Sequence, residues 1–260
     1  MKRLSNRLQA LADQVIPGCI VADVGTDHAY LPLYLVEHGI CSRVIGIEIN
    51  PGPLQSARNQ VASAGLTHLI LIREGNGLQA IHPGEAQVVV IAGMGGKTIC
   101  EILEAAPAVL AGLRRLILQP MGADKLVREW LLAHSWQIVQ EDLVKEDGVY
   151  YIIIIAEPST PTVRWPENEA LVYNAVKDEL EDDTKDKMRN LMELEIGPDL
   201  INRQHPLLPD YLSYLLEREQ RIYEHLKRSQ NSEALLQQVR RQERIEALQG
   251  LIQKLSRLKE

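Results

Sequence analysis

Val21-Ala22-Asp23-Val24-Gly25-Thr26-Asp27-His28-Ala29-Tyr30-Leu31-Pro32 is the stretch whose reading settles the fold class. It leaves a short β-branched run and opens a helical pattern, with Gly25 at the joint. Glycine there permits a tight turn and a close backbone approach at the carboxyl end of a strand, where doubly wound sheets bind ligands. Glu48 ends the next β-branched run, 23 residues after Gly25. A carboxylate at that place can accept hydrogen bonds from both hydroxyls of a ribose. Strand, glycine turn, helix, strand, acid is a nucleoside-binding arrangement.

Outward from this stretch the alternation continues. Residues 19–24, 43–49, 69–73, 88–92, 115–118, 136–140 and 150–156 read as strands. Most are continuous apolar runs, as expected for strands buried on both faces. Between the first five lie segments long enough for crossover helices, such as 53–64 and 97–110, the pattern of a doubly wound α/β domain. The last two strands are separated only by 141–149, with Asp147-Gly148 inside, which predicts an antiparallel hairpin at the sheet edge. Ahead of the first strand, Leu4, Leu8, Leu11 and Val15 fall on one helical stripe. Arg3 and Arg7 sit one turn apart beside it, by default as solvated charges.

The composition changes after Glu157. Pro158, Pro161 and Pro166 mark a linker, strand signals stop, and the pattern becomes helical. Ile196-Gly197-Pro198 reads as a helix stop. Leu212, Leu215, Ile222 and Leu226 form one stripe, broken by Glu219; Ile245, Leu248, Ile252 and Leu255 form a second after a polar break at 229–232. Two such stripes predict an antiparallel, coiled-coil-like helical hairpin. The domains expected are therefore 1–157, α/β, and 158–260, all-helical.

The 260 residues carry 28 Lys and Arg against 35 Asp and Glu, a net charge of -7, so this is no uniformly basic nucleic-acid binder. Local basic patches can still hold phosphates. The three cysteines, Cys19, Cys41 and Cys100, are odd in number and lack C-x-x-C spacing, which argues against a disulfide framework or zinc ribbon. His28, His38, His68, His82 and His134 are scattered, and none has a metal-ligand partner at short spacing. No apolar run is long enough to span a bilayer, and the N-terminus lacks the apolar segment of a signal peptide. A cytoplasmic protein without metal or membrane partner is expected.

Which nucleoside binds is argued from the turn. A dinucleotide needs G-x-G-x-x-G for its pyrophosphate. Here Gly25 is followed by Thr26-Asp27-His28-Ala29, with no second glycine and an added negative charge. That favours a ligand bearing positive charge, such as the amino group and sulfonium of S-adenosyl-L-methionine. Gly75-Asn76-Gly77 follows the third strand, where it borders the adenine in this topology or serves as a plain turn. Gly93-Met94-Gly95-Gly96-Lys97-Thr98 fails as a phosphate loop, because Ile91 stands where its first glycine belongs. Its glycines instead let a flat base approach the backbone. Gln119-Pro120-Met121 lines the same cleft or simply ends a strand.

Several of these segments together resemble the TrmK family of bacterial tRNA methyltransferases, which modify N1 of adenosine 22. They are Ser5-Asn6-Arg7-Leu8, Asp23-Val-Gly-Thr-Asp-His-Ala-Tyr-Leu-Pro32, Ile91-Ala-Gly-Met-Gly-Gly96, Leu118-Gln-Pro-Met121 and the hairpin Glu146 to Tyr150-Tyr151. The resemblance covers the α/β domain and extends more weakly into the helical part. It implies a Rossmann-like class I methyltransferase sheet, S-adenosyl-L-methionine as cofactor and tRNA as partner, with a monomer favoured. It also implies Asp27, Tyr30 and Arg7 around the target base. Asp27 would offset adeninium charge or accept from N6, Tyr30 orient or stack on the ring, and Arg7 hold a phosphate or orient Asp27. Assigned to the cofactor are Asp23, Gly25, Thr26, His28, Glu48, Ile49, Asn50, Gly75, Asn76, Gly77, Ala92, Gly93 and Met94. The tRNA itself is expected on the helical domain and on Arg3, Arg7, Arg114 and Arg115. A methyltransferase acting on another RNA or a protein, an NAD-dependent oxidoreductase and a non-catalytic interaction protein are the alternatives.

Overall fold

The computed structural model describes residues 3–159, 191–228 and 231–257. The chain divides into two compact units, Met1–Pro166 and Glu167–Glu260, so the boundary falls among residues outside those described. The linker prolines Pro161 and Pro166 also lie outside them, while Pro158 closes the last strand.

In the first unit, helix α1 (Asn6–Asp13) precedes strand β1 (Ile20–Val24). Then follow α2 (Tyr30–Glu37), β2 (Arg43–Glu48), α3 (Pro51–Ser63), β3 (Ile70–Glu74), a 3₁₀ turn (Gly77–Ala80), β4 (Val88–Met94), α4 (Gly96–Glu104), α5 (Pro107–Leu110), β5 (Arg115–Pro120), α6 (Asp124–Ala133), β6 (Trp136–Glu146) and β7 (Val149–Pro158). The sheet order is β3-β2-β1-β4-β5-β7-β6. The first five strands run parallel, and β7 pairs antiparallel with both β5 and β6. The carboxyl ends of β1 to β4 therefore share one edge, with β1 and β4 as neighbours where the strand order reverses, the place where such sheets take ligands.

Burial explains why these runs are strands. Val88 to Ile91 and Leu116 to Leu118 are fully covered, as a central parallel strand requires. Ser5 caps α1 by accepting a hydrogen bond from the Leu8 amide at 3.3 Å. The helix then lays Leu11 and Ala12 into a core shared with Leu31 and Leu35 of α2, Val21 and Val90 of the sheet, and Ile153 and Ile155 of β7. Burying a leucine such as Leu11 contributes about 1.5–3 kcal/mol. The three cysteines are all buried and free, Cys19 and Cys41 within this same core.

Two elements differ from the expectation. The helix expected over 97–110 breaks into α4 and α5 at Ala105-Ala106, because Pro107 cannot continue a helix but suits the first turn of a new one. The hairpin loop expected over 141–149 shrinks to Asp147-Gly148, both at positive φ (49° and 78°), as a two-residue primed turn demands. Strand β6 reaches Glu146 because Glu141, a charge that reads as a loop residue, is buried against Arg128 of α6, with Nε to Oε1 at 2.7 Å.

In the second unit, a π-helical turn (Leu191–Ile196) is followed by α7 (Pro198–Asn202), α8 (Leu208–Leu226) and α9 (Ser232–Arg257). Gly197, at φ 110°, ends one element while Pro198 starts the next. Helices α8 and α9 pack as an antiparallel hairpin: Leu212 and Leu215 are buried on one, and Ile245, Leu248, Leu251 and Leu255 on the other. Leu251 takes the core position expected for Ile252, which is only half-buried. Glu219 does not break the stripe. It is fully buried and pairs with Arg241 and Arg244 across the hairpin, so it sets the register of the two helices.

Candidate active site

Beyond β1 the backbone turns sharply. Gly25 sits at φ 76°, and the Gly25 and Thr26 amides both donate to Ile47 O of β2, at 2.8 and 3.0 Å. Asp27 (φ 49°) and Ala29 (φ 57°) follow in the left-handed region, which non-glycine residues adopt at a cost. A Cβ at Gly25 would meet only Met94 Cε, the movable tip of a flexible side chain, so the positive φ rather than lack of space is what calls for glycine here.

Two buried carboxylates stand behind this turn. Asp23 accepts from Thr26 Oγ1 at 2.7 Å. Burial pushes its carboxyl up to about 6, against the lowering effect of the Thr26 hydrogen bond and with help from the charge on Glu48. Glu48 is held by four donors. The Ile49 amide (2.9 Å), the Asn50 amide (2.8 Å) and Asn50 Nδ2 (2.9 Å) reach Oε1, and the Asp27 amide reaches Oε2 at 3.3 Å. Its direction is thus set before any ligand arrives.

In front of the turn lies a cavity of about 810 Å³. Its wall contains Arg7, Asp23, Gly25, Thr26, Asp27, His28, Tyr30, Ala92 and Gly93 among the residues singled out from the sequence. The Asp27 side chain is 62% exposed, and His28 Nε2 lies 3.6 Å from its Oδ1. The other imidazole nitrogen, Nδ1, is 2.6 Å from Ser56 Oγ of α3, and the ring stacks at 5.5 Å on Tyr30. Arg7 lies with its guanidinium 5.5 Å from the centre of the Tyr151 ring.

The remaining residues assigned to the cofactor lie outside this wall but on the same sheet edge. Ile49 is 54% exposed beside Glu48, an unusual position for so apolar a side chain. The Gly75 amide donates to Glu48 O at 3.1 Å, which ties the 75–77 loop to the end of β2. Met94 packs on Gly25. The glycines at the end of β4 and the start of α4 divide their work: Gly93 lines the cavity, whereas a Cβ on Gly96 would lie 2.6 Å from Ala123 O, so Gly96 serves helix packing rather than a flat base. Arg115 leaves the set of substrate-facing cations, because its Nε contacts Glu157 at 3.0 Å and its Nη1 donates to Gln14 O at 2.8 Å.

Gln119 joins the site from inside the sheet; its signal in the sequence was a polar residue ending an otherwise apolar strand. Ser56, Tyr34 and Glu37, the last two also on the cavity wall, carried no motif at all. Among the described residues no group of three His, Cys, Asp or Glu is arranged to hold a metal ion, and no helix is long and apolar enough to cross a membrane.

Comparison with known proteins places this geometry. Residues 4–154 match the family described as "Methyltransferase domain". A tRNA (adenine(22)-N(1))-methyltransferase of Bacillus subtilis is 44% identical over 155 residues, which is 60% of this chain and 65% of that protein, so the match spans just under two thirds of the curated relative. The crystal structure of the B. subtilis m1A22 tRNA methyltransferase TrmK superposes with a TM-score of 0.75 at 33% identity, covering 96% of this chain and 99% of that one. A Streptococcus pneumoniae protein, described as a putative tRNA (m1A22) methyltransferase in complex with S-adenosyl-L-methionine, is 31% identical with a TM-score of 0.73, covering 96% and 100%.

Proposed function

This chain belongs to the TrmK family of methyltransferases, and from that premise we propose that it methylates N1 of adenosine 22 in tRNA with S-adenosyl-L-methionine as methyl donor. The observation that carries the reading is the single sheet edge on which buried Asp23, side-chain-free Gly25 and pre-set Glu48 stand behind a cavity that Asp27, Tyr30 and Arg7 wall.

The residues fit the donor. A buried carboxylate with a raised pKa gains from a cationic neighbour, which the donor's amino group and sulfonium provide. The immobilised Glu48 carboxylate suits ribose hydroxyls, exposed Ile49 offers an apolar face to adenine, and the 75–77 loop closes the adenine side. Thr26, His28, Asn50, Ala92, Gly93 and Met94 complete that half of the cleft. When bound, S-adenosyl-L-methionine supplies an electrophilic methyl group on a sulfonium.

The chain's own residues then serve the base. Neutral adenine carries a lone pair on N1, so no general base is required before transfer. N1 lies on the Watson–Crick edge, so the nucleotide must leave its pair and stack to react. Tyr30 orients the extruded ring, and Arg7 holds it or its phosphate. Asp27 faces the positive charge that develops on the ring and accepts from N6, with the His28 imidazole as its neighbour. The helical unit carries exposed Arg221, Arg228, Arg240 and Arg257, cations that suit the tRNA backbone. A tRNA substrate assigns the enzyme to the cytoplasm.

The test is incubation with S-adenosyl-L-methionine and unmodified transcripts that differ only at position 22, followed by nucleoside mass spectrometry. N1-methyladenosine is expected only where adenosine occupies that position. A protein that binds the donor yet methylates neither transcript overturns the substrate assignment.

A further inference from the structure

Gln119 is the penultimate residue of β5, beside Ala92 of β4, and is fully buried, an expensive location for an amide unless every polar atom is served. Here they are. Its Oε1 accepts from Arg7 Nη1 at 2.9 Å and from the Gly93 amide at 3.1 Å; its Nε2 donates to Pro120 O at 2.9 Å and lies 3.6 Å from Met121 Sδ. One oxygen therefore joins two cavity-wall groups that are 86 residues apart in the chain, Arg7 of α1 and the irregularity at Gly93 near the end of β4. Arg7 is flanked on a second side by the Tyr151 ring. A long, flexible guanidinium is thus aimed by an acceptor that has no freedom of its own, because its other end is anchored to the β5 backbone. The Gly93 amide, in a residue at φ 74°, donates to the same atom and so fixes it from the sheet side.

We propose that Gln119 is a positioning residue for methyl transfer: it touches no substrate, and acts by holding Arg7, through an oxygen that the Gly93 amide also fixes, in the arrangement that receives the target base. The proposal rests on the functional reading above. Its chemistry is specific to an acceptor oxygen at the end of a side chain of this length. Glutamate keeps that oxygen and strengthens its pairing with Arg7 while losing the bond to Pro120 O, methionine fills the space without it, and asparagine withdraws it by one methylene.

The experiment uses the full chain, with donor affinity measured by calorimetry and steady-state kinetics on a transcript bearing adenosine 22. Gln119→Met is expected to lower kcat at least tenfold while the dissociation constant of S-adenosyl-L-methionine stays within twofold, and Gln119→Glu to recover kcat to within about threefold of the parent. In an Arg7→Met background, Gln119→Met should cost less than twofold more, since the group it aims is gone. If the methionine variant does not fold, Gln119→Asn carries the same requirement of a lowered kcat with retained donor affinity. A folded methionine or asparagine variant with the parent kcat, or losses that simply multiply in the double variant, overturns the proposal. A parent protein that does not methylate the transcript at all overturns the functional reading first.

Discussion

Asp23 couples the site to pH. Its carboxyl titrates near 6 in the folded protein instead of 3.8, so ionising it costs the fold roughly 1–3 kcal/mol. With the folded pKa raised, that cost is absent below the unfolded value, grows between the two and is fully present above about 6. A cationic ligand draws on the ionised form. Donor affinity, followed by calorimetry, should therefore fall by up to tenfold per unit as pH drops below about 6. Asp23→Asn should flatten that profile, weaken binding and raise the thermal midpoint of the ligand-free protein. A profile that stays unchanged in the variant assigns the titration to another group. Asp27 is placed differently, with its side chain facing solvent on the cavity wall. Asp27→Asn is expected to lower kcat by about 10²-fold or more, the scale on which removing one electrostatic partner of a transition state acts, with donor affinity nearly unchanged. Loss of donor binding in that variant would move Asp27 to the cofactor side of the cleft.

Among the elements, the edge hairpin and α6 depend on one buried pair. Arg128 and Glu141 are both fully covered, and removing a single partner leaves an uncompensated charge in the core. Arg128→Met should cost about 3–5 kcal/mol in denaturant unfolding, and adding Glu141→Leu should recover most of it. Equal destabilisation in the single and double variants would mean that the pair does more than neutralise itself. This pair also shows why the length of β6 was hard to read. Glu141 looks like the end of a strand until its partner is known, and that partner lies 13 residues earlier on a helix. Glu219 misleads in the same way within the second unit, where a charge inside a stripe turns out to be the register pin of α8 and α9.

For the whole molecule, the parallel sheet and its ligand-binding edge were legible because continuous apolar runs and Gly25 are local signals. Nine of the residues chosen from motifs meet on one cavity wall for the same reason. What escaped was set by distant partners. Gln119 shows its role only beside Arg7 and Gly93, Arg115 is spent on Glu157 and Gln14, and Leu251 rather than Ile252 faces α8. Substrate engagement belongs to this scale too. Arg228→Glu with Arg240→Glu should weaken tRNA binding and reduce the slope of log affinity against log salt by about 0.7–0.9 for each phosphate no longer neutralised, with donor affinity unchanged. An unaltered slope would place the tRNA on other cations.

The buried cysteines have a practical meaning for such work. Burial pushes the Cys41 thiol up to about 11 and raises that of Cys100, so at neutral pH neither presents a thiolate to an alkylating dye. Cys19 is equally covered by the core around α1. The native chain is therefore a dark background for thiol labelling. One cysteine placed at an exposed position such as Gln253 of α9 would carry a fluorophore alone, and its anisotropy would test docking of the proposed tRNA substrate without any native residue having to be removed first.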